Sequence, residues 1–301
     1  MNGVIVIDKP AGFTSFDVIA VVRKLTGQRK TRHTGTLDPN ATGVLPVLLG
    51  NATKAQDLIV NHDKAYAASF RLGLQTDTLD IWGTVKRETE SHATRGELEA
   101  LLPRFRGEIE QIPPMFSAVQ KNGQRLYDLA RKGLEVEREP RRVTVYRLEL
   151  TGFDEATQSG TLTVECSKGT YVRTLIDDLG TALGCGAVMT ALRRTFACGY
   201  TLDDCVTLEA LKALCESGTA EQVLRPTESL FTDYRALTVS DAQARRFQNG
   251  AALDLARTAL RKSVPPDGTI LRVKSPSGAF LGLGTALEGA LKIYKLFGTN
   301  P

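Results

Sequence analysis

Asp38 is the single acid in the run His33-Thr-Gly-Thr-Leu-Asp-Pro-Asn-Ala-Thr-Gly-Val-Leu45, where no other charge follows His33. Two Gly, a Pro and several Thr around it describe an ordered loop more than a helix or strand. Upstream stand Arg23, Lys24, Arg29, Lys30 and Arg32, a surface suited to phosphates. A lone carboxylate in a stiff loop can serve as nucleophile or base once it is partly desolvated and oriented by a cation. Arg173, where a strand passes into a helix, can supply that cation. Tyr66 and Tyr171 offer flat faces for a base to stack on. His33 could reach a nucleobase or a phosphate. Each residue also has an ordinary reading: Asp38 before Pro39 opens a turn, Arg173 is a helix Arg, the Tyr belong to sheets, His33 caps carbonyls, and Lys9 and Asp80 sit in turns. Residue types alone leave both readings open.

Other chemistries are excluded more firmly. The chain has no Gly-x-x-x-x-Gly-Lys-Ser/Thr loop, no Gly-x-Gly-x-x-Gly after a strand, no His-Glu-x-x-His and no Gly-x-Ser-x-Gly elbow. Its three His (33, 62, 92) are not at metal-ligand spacing, so neither a metal nor a cofactor is expected. Five Cys (166, 185, 198, 205, 215) form no Cys-x-x-Cys pair and read as small buried apolar residues. No membrane span or signal peptide is visible, which predicts a cytoplasmic protein.

The elements that must position these residues follow from periodicity. Residues 3 to 7 read as a buried strand, and Ser15 can cap a helix from Phe16 to Leu25 that ends at Gly27. Val44 to Leu49 is a strand and Asn51 to Val60 a helix. Residues 65 to 73 alternate, with Tyr66, Ala68, Phe70 and Leu72 on one side. Residues 75 to 83 are turn-rich. Thr94 to Leu102 is a helix with Thr94 and Glu97 at capping-box spacing. Residues 103 to 142 read as irregular, and seven basic residues from Lys121 to Arg142 face four acids there, as a solvated surface or an RNA-touching insertion. Strands follow at 143 to 153, 160 to 166 and 187 to 200, with a helix through Leu175, Ile176, Leu179 and Leu183 that ends at Gly184, and another capped by Thr207.

A boundary is expected between Arg225 and Asp233, which separates a domain at 1 to 230 from a mostly β module at 234 to 301 with a helix near Asp241 to Phe247. The net charge is only +4, yet the stretch from Tyr234 onward holds 10 Lys or Arg against 4 Asp or Glu. Such asymmetry suggests an appended nucleic-acid module or a solvated basic face.

Five ordered motifs carry a resemblance. They are Gly-Val-Ile-Val-Ile-Asp-Lys-Pro-Ala-Gly-Phe-Thr-Ser-Phe-Asp-Val at 3 to 18, the loop around Asp38, Asp63-Lys-Ala-Tyr66, Gly73-Leu-Gln-Thr-Asp-Thr-Leu-Asp80, and Cys166-Ser-Lys-Gly-Thr-Tyr-Val-Arg173 with Asp177-Asp-Leu-Gly180. Together, over about 200 residues, they resemble the TruB family of tRNA pseudouridine synthases. The resemblance implies an α+β fold: a pseudouridine-synthase domain with a mixed, mainly antiparallel sheet flanked by helices, plus a PUA-like C-terminal module. It implies isomerisation of a T-loop uridine of tRNA, at position 55, with no cofactor. It also implies a monomer that needs no protein partner. A tRNA-folding factor and a guide-RNA-dependent subunit are the alternatives; intact Asp38, Tyr66 and Arg173 argue against the first, and the absence of long extensions against the second.

Position by position, the resemblance makes Asp38 the catalytic carboxylate, with attack at C1′, attack at C6 and removal of a ribose proton as open uses. Tyr66 stacks on the target base and serves in deprotonation at C5, while Arg173 pairs with Asp38. Tyr171 and Leu192 wall the pocket, Lys9 supports it, and Asp80 lies close by. His33 fills the space left when T-loop bases flip out. Arg32 stands where family members usually have Gly. If positive φ were needed there, Arg would be strained; otherwise it adds a phosphate contact.

Overall fold

The computed structural model describes residues 1–59 and 62–297. A nine-stranded sheet forms the larger unit. Its main path runs Gly3–Lys9, Thr42–Leu49, Ala187–Ala197, Lys64–Leu72, Ser159–Cys166, Arg141–Asp154 and Gly107–Gln111. Thr31–His33 pairs with the far end of Thr42–Leu49, and Tyr200–Thr201 with Ala187–Ala197. Every ladder is antiparallel except Thr42–Leu49 against Ala187–Ala197, so the sheet is mixed and mainly antiparallel as expected.

The alternation at Tyr66, Ala68, Phe70 and Leu72 places all four in the core, against Leu175, Ile176 and Leu179 of the helix Val172–Ala182. In a separate apolar cluster, the helix Ser15–Thr26 buries Val18, Ile19 and Val22 against Ile5, Ile7, Val47 and Leu211. Burial of such side chains stabilises by about 1.5–3 kcal/mol each.

Several elements differ from the sequence reading for local reasons. The cap of Ser15–Thr26 is Thr14, whose hydroxyl accepts from the Asp17 amide while the Asp17 carboxylate accepts from the Thr14 amide. Ser15 is thereby released for a contact described below. Gly50–Leu58 is a 3-10 helix, and the expected helix end at Val60 lies outside the described residues. The strand expected to reach residue 200 stops at Ala197, because Cys198 (φ 55°) and Gly199 (φ 84°) turn the chain into Tyr200–Thr201. The stretch 103 to 142 is not wholly irregular: Gly107–Gln111 is an edge strand of the main sheet, and Leu126–Arg131 is a short helix behind a small hairpin. Among the five Cys, 166, 185 and 198 are buried, 205 and 215 are half-buried, and all are free thiols.

The tail forms a five-stranded sheet, ordered Ala236–Thr238, Ile270–Lys274, Phe280–Leu287, Ala290–Leu296, Leu253–Asp254, with the helix Asp241–Gln248 packed on it. The last four residues of the expected module lie outside the described ones. The module does not stand alone. Leu283 and Phe297 share an apolar cluster with Phe231, Val4, Val44 and Leu48, and Phe280 packs against it.

Candidate active site

The loop between Thr31–His33 and Thr42–Leu49 has little regular hydrogen bonding of its own, so the surrounding chain must hold its backbone. Lys9, fully buried, donates from Nζ to the carbonyls of Pro10 (2.8 Å), Pro39 (2.8 Å) and Ala41 (2.7 Å). The Ser15 hydroxyl accepts from the Leu37 amide at 2.9 Å and donates to the Leu37 carbonyl at 3.3 Å. Arg194, also fully buried, donates to the carbonyls of Val44 (2.7 Å), Gly35 (3.2 Å) and Thr36 (3.4 Å). Gly43 (φ 102°) permits this approach, since a Cβ there would collide with the Arg194 carbonyl. Asp38 is thus carried on a loop whose carbonyls are tied to two buried cations.

The Asp38 carboxylate meets Arg173 in a fork: Nε to Oδ2 at 2.9 Å and Nη2 to Oδ1 at 3.2 Å. Charge-assisted pairs of this planar geometry are strong and directional. The Arg173 side chain is 5% exposed and that of Asp38 36%, so the cation is sealed in the wall while the acid faces the opening. Arg173 also donates to the carbonyls of Thr78 (2.8 Å) and Phe116 (3.0 Å). Asp80 stands behind it, with Oδ2 at 4.0 Å from Nη1, while its Oδ1 accepts from Thr78 Oγ1 (2.7 Å) and the Trp82 amide (3.2 Å). Asp80 is therefore both a turn former and an acid near the site.

Asp38, Tyr66, Tyr171, Arg173 and Leu192 line one cavity of about 280 Å³, with Lys64, Ser117 and Thr170 also in its wall. Burial pushes the Tyr66 phenol up to about 12, so it keeps its proton at neutral pH. Burial pushes the Lys9 ammonium down, to about 8, with Asp38 acting in the opposite sense. The buried Gln111 fixes Tyr171, accepting from its amide at 3.0 Å and donating to its carbonyl at 3.3 Å.

His33 and Arg32 are not in that wall. They lie on the strand that leads into the loop. His33 meets Phe16 edge to face, with centroids 5.5 Å apart, and its Nδ1 is buried without a hydrogen-bond partner. Burial, then Arg194, lowers its pKa, which favours a neutral ring. Arg32 is an extended residue paired with Leu48 and does not have positive φ, so the strain alternative falls away. It lines a separate groove of about 460 Å³ with Arg23, Arg29, Lys30, Lys54 and Lys295.

Sequence reasoning missed Arg194, Ser15 and Gln111. For Arg194 a signal existed: on a strand it shares a face with Leu192, whereas Arg193 points the other way, to Asp8 at 2.8 Å. Among the described residues no group of His, Cys, Asp and Glu is placed to hold a metal, and no helix is long and apolar enough to cross a membrane.

Comparison with known proteins adds an independent line. Residues 23–172 match the TruB family pseudouridylate synthase (N terminal domain). Residues 173–232 match the tRNA pseudouridylate synthase B C-terminal domain, and residues 236–297 match pseudouridine synthase II TruB, C-terminal. The chain is 45% identical over 291 residues to a tRNA pseudouridine synthase B of Pseudomonas fluorescens (strain Pf0-1), covering 96% of this chain and 92% of that protein. It is 42% identical over 300 residues to that of Azoarcus sp. (strain BH72), covering 100% and 96%. Its fold matches a chain of a crystallised Cbf5-Nop10-Gar1 complex with a TM-score of 0.75 and 26% identity, over 98% of this chain and 85% of that one.

Proposed function

This chain belongs to the TruB family of pseudouridylate synthases and isomerises uridine in tRNA to pseudouridine, and we propose that Asp38, held by Arg173, is the residue that carries out the chemistry. The observation that carries the assignment is the forked Arg173–Asp38 pair at the mouth of the 280 Å³ cavity. In the reaction the N1–C1′ bond breaks, uracil turns in the pocket, C5 bonds to C1′, and the proton displaced from C5 is balanced by one gained at N1. Nothing is oxidised and no water is consumed.

Arg173 holds the Asp38 carboxylate aimed into the cavity, and the carboxylate then acts at C1′, at C6 or on a ribose proton. Enclosure by Tyr66, Tyr171 and Leu192 keeps water from the cleaved intermediate so that the uracil recombines. Tyr66 serves as the stacking face for uracil. A phenol that retains its proton to about 12 suits that role better than the role of resident base. Lys9 and Asp80 position the loop and Arg173.

The target is the T-loop uridine at position 55, within the T-arm stem-loop. His33, neutral and with an unpartnered Nδ1, enters the space left by the flipped bases. Arg32 and the basic groove around it contact RNA phosphates. On this reading residues 1–230 form the catalytic domain, with 103–142 as its RNA-contacting insertion, and 234–301 form a PUA-like RNA-binding module. The enzyme acts as a cytoplasmic monomer without a guide RNA or an obligatory protein partner.

The test is to incubate the purified chain with an unmodified tRNA transcript and map pseudouridine chemically. Modification confined to position 55 is expected. Modification only elsewhere, or none, defeats the reading.

A further inference from the structure

We propose that the Ser117 hydroxyl is a substrate-positioning group that hydrogen-bonds the flipped uridine, an inference that rests on the functional reading of the Asp38 cavity. Ser117 is 6% exposed and lines that cavity. Its Oγ is buried without a hydrogen-bond partner. Its backbone, by contrast, is fixed on both sides: the amide donates to the Met115 carbonyl at 2.9 Å and the carbonyl accepts from the Tyr127 amide at 3.1 Å. The preceding carbonyl, that of Phe116, accepts from Arg173. The backbone that carries the hydroxyl is thus tied to the catalytic pair.

Asp38, Lys64 and Thr170, which share the wall, are already engaged. Both oxygens of Asp38 face Arg173, Lys64 donates to the His62 carbonyl at 2.9 Å, and Thr170 donates to the Ser167 carbonyl at 3.0 Å. A buried hydroxyl without a partner is unfavourable in the free protein, and it can both donate and accept. Uridine brings O2, O4, N3–H and the ribose 2′-hydroxyl into such a pocket. A ligand that satisfies the hydroxyl is favoured over an analogue that leaves it unpaired.

The test compares Ser117→Ala and Ser117→Cys with the wild type on three readouts. The first is thermal stability. Because the alanine variant removes an unpaired buried hydroxyl, it should melt at the wild-type temperature or above. The second is kcat/KM on unmodified tRNA, which should fall about tenfold to a hundredfold for Ala and less for Cys. The third uses transcripts whose target uridine is 2′-deoxy, 2-thio or 4-thio. One of them should be handicapped with the wild type and carry little or no added handicap with Ser117→Ala. Analogue penalties that persist unchanged in the variant, turnover within twofold of wild type, or a melting temperature lowered by several degrees would each overturn the proposal. Failure of the functional reading looks different: the wild type would then make no pseudouridine at all.

Discussion

The loop that carries Asp38 and the segment that carries Ser117 meet at one guanidinium, yet they are built in opposite ways. The loop is tied down from beneath by Lys9 and Arg194, both fully buried, and from the side by Ser15. Beyond residue 117 the Ser117 side is mostly surface: Arg125, Arg131 and Lys132 are exposed, while Pro113, Pro114, Met115 and Leu126 are buried. Its tie to the centre is the Phe116 carbonyl on Arg173. Chemistry at a carbon needs an acid fixed to within a fraction of an ångström, which buried charged hydrogen bonds provide. Holding a long RNA needs many replaceable surface charges, each worth little alone.

Two perturbations should separate these regions. The larger effect is expected at the loop. Lys9→Met leaves three carbonyls without their donor, so stability should drop by about 3 kcal/mol or more and kcat by about tenfold to a hundredfold. Thermal melts and single-turnover rates check this.

The same lysine carries a pH signature. An ammonium has three N–H groups for its three carbonyls, whereas a neutral amine has two. As pH rises through about 8, Lys9 loses its proton in the folded state and kcat should fall. Stability should move the other way. The folded pKa lies below the ordinary value of 10.5, so between about 8 and 10.5 the unfolded chain binds the extra proton and this group's contribution to stability grows with pH. Opposite trends in rate and melting temperature identify Lys9, and Lys9→Met should lack both.

The smaller effect is expected at the insertion. Arg125→Gln with Arg131→Gln should raise KM severalfold and reduce the salt dependence of tRNA binding by about one to two in log–log slope. A loss as deep as that of Lys9→Met would break the contrast between the two regions.

Deleting the tail is a poor test of its role in RNA binding. Leu283 and Phe297 pack with Val4, Val44 and Leu48, so truncation would expose the core beneath the loop-bearing strands. Charge substitutions such as Lys295→Gln, on the basic groove, leave that packing in place.

Much of this organisation was legible in the sequence because it rests on local rules. The period of two at Tyr66 to Leu72, the Thr94–Glu97 capping box and the glycine after the first helix all describe nearest neighbours. The family motifs contained Asp38, Tyr66, Tyr171 and Arg173, which the fold brings to one cavity. What escaped depends on contacts distant in sequence. Arg194 binds carbonyls 150 and 159 residues earlier in the chain. Ser15 looked like a helix cap until Thr14 took that task. Ser117 follows Pro113-Pro114 in a stretch with no periodicity, so nothing local signals that this residue lines the cavity.

The most direct measurement compares wild type with Asp38→Asn in single-turnover reactions on unmodified tRNA, with RNA affinity measured in parallel. Asn keeps the side-chain shape and removes the charge that faces Arg173. The account predicts tRNA binding within a few fold of wild type and no detectable pseudouridine. Pseudouridine formed by the Asn variant at a measurable fraction of the wild-type rate would contradict it.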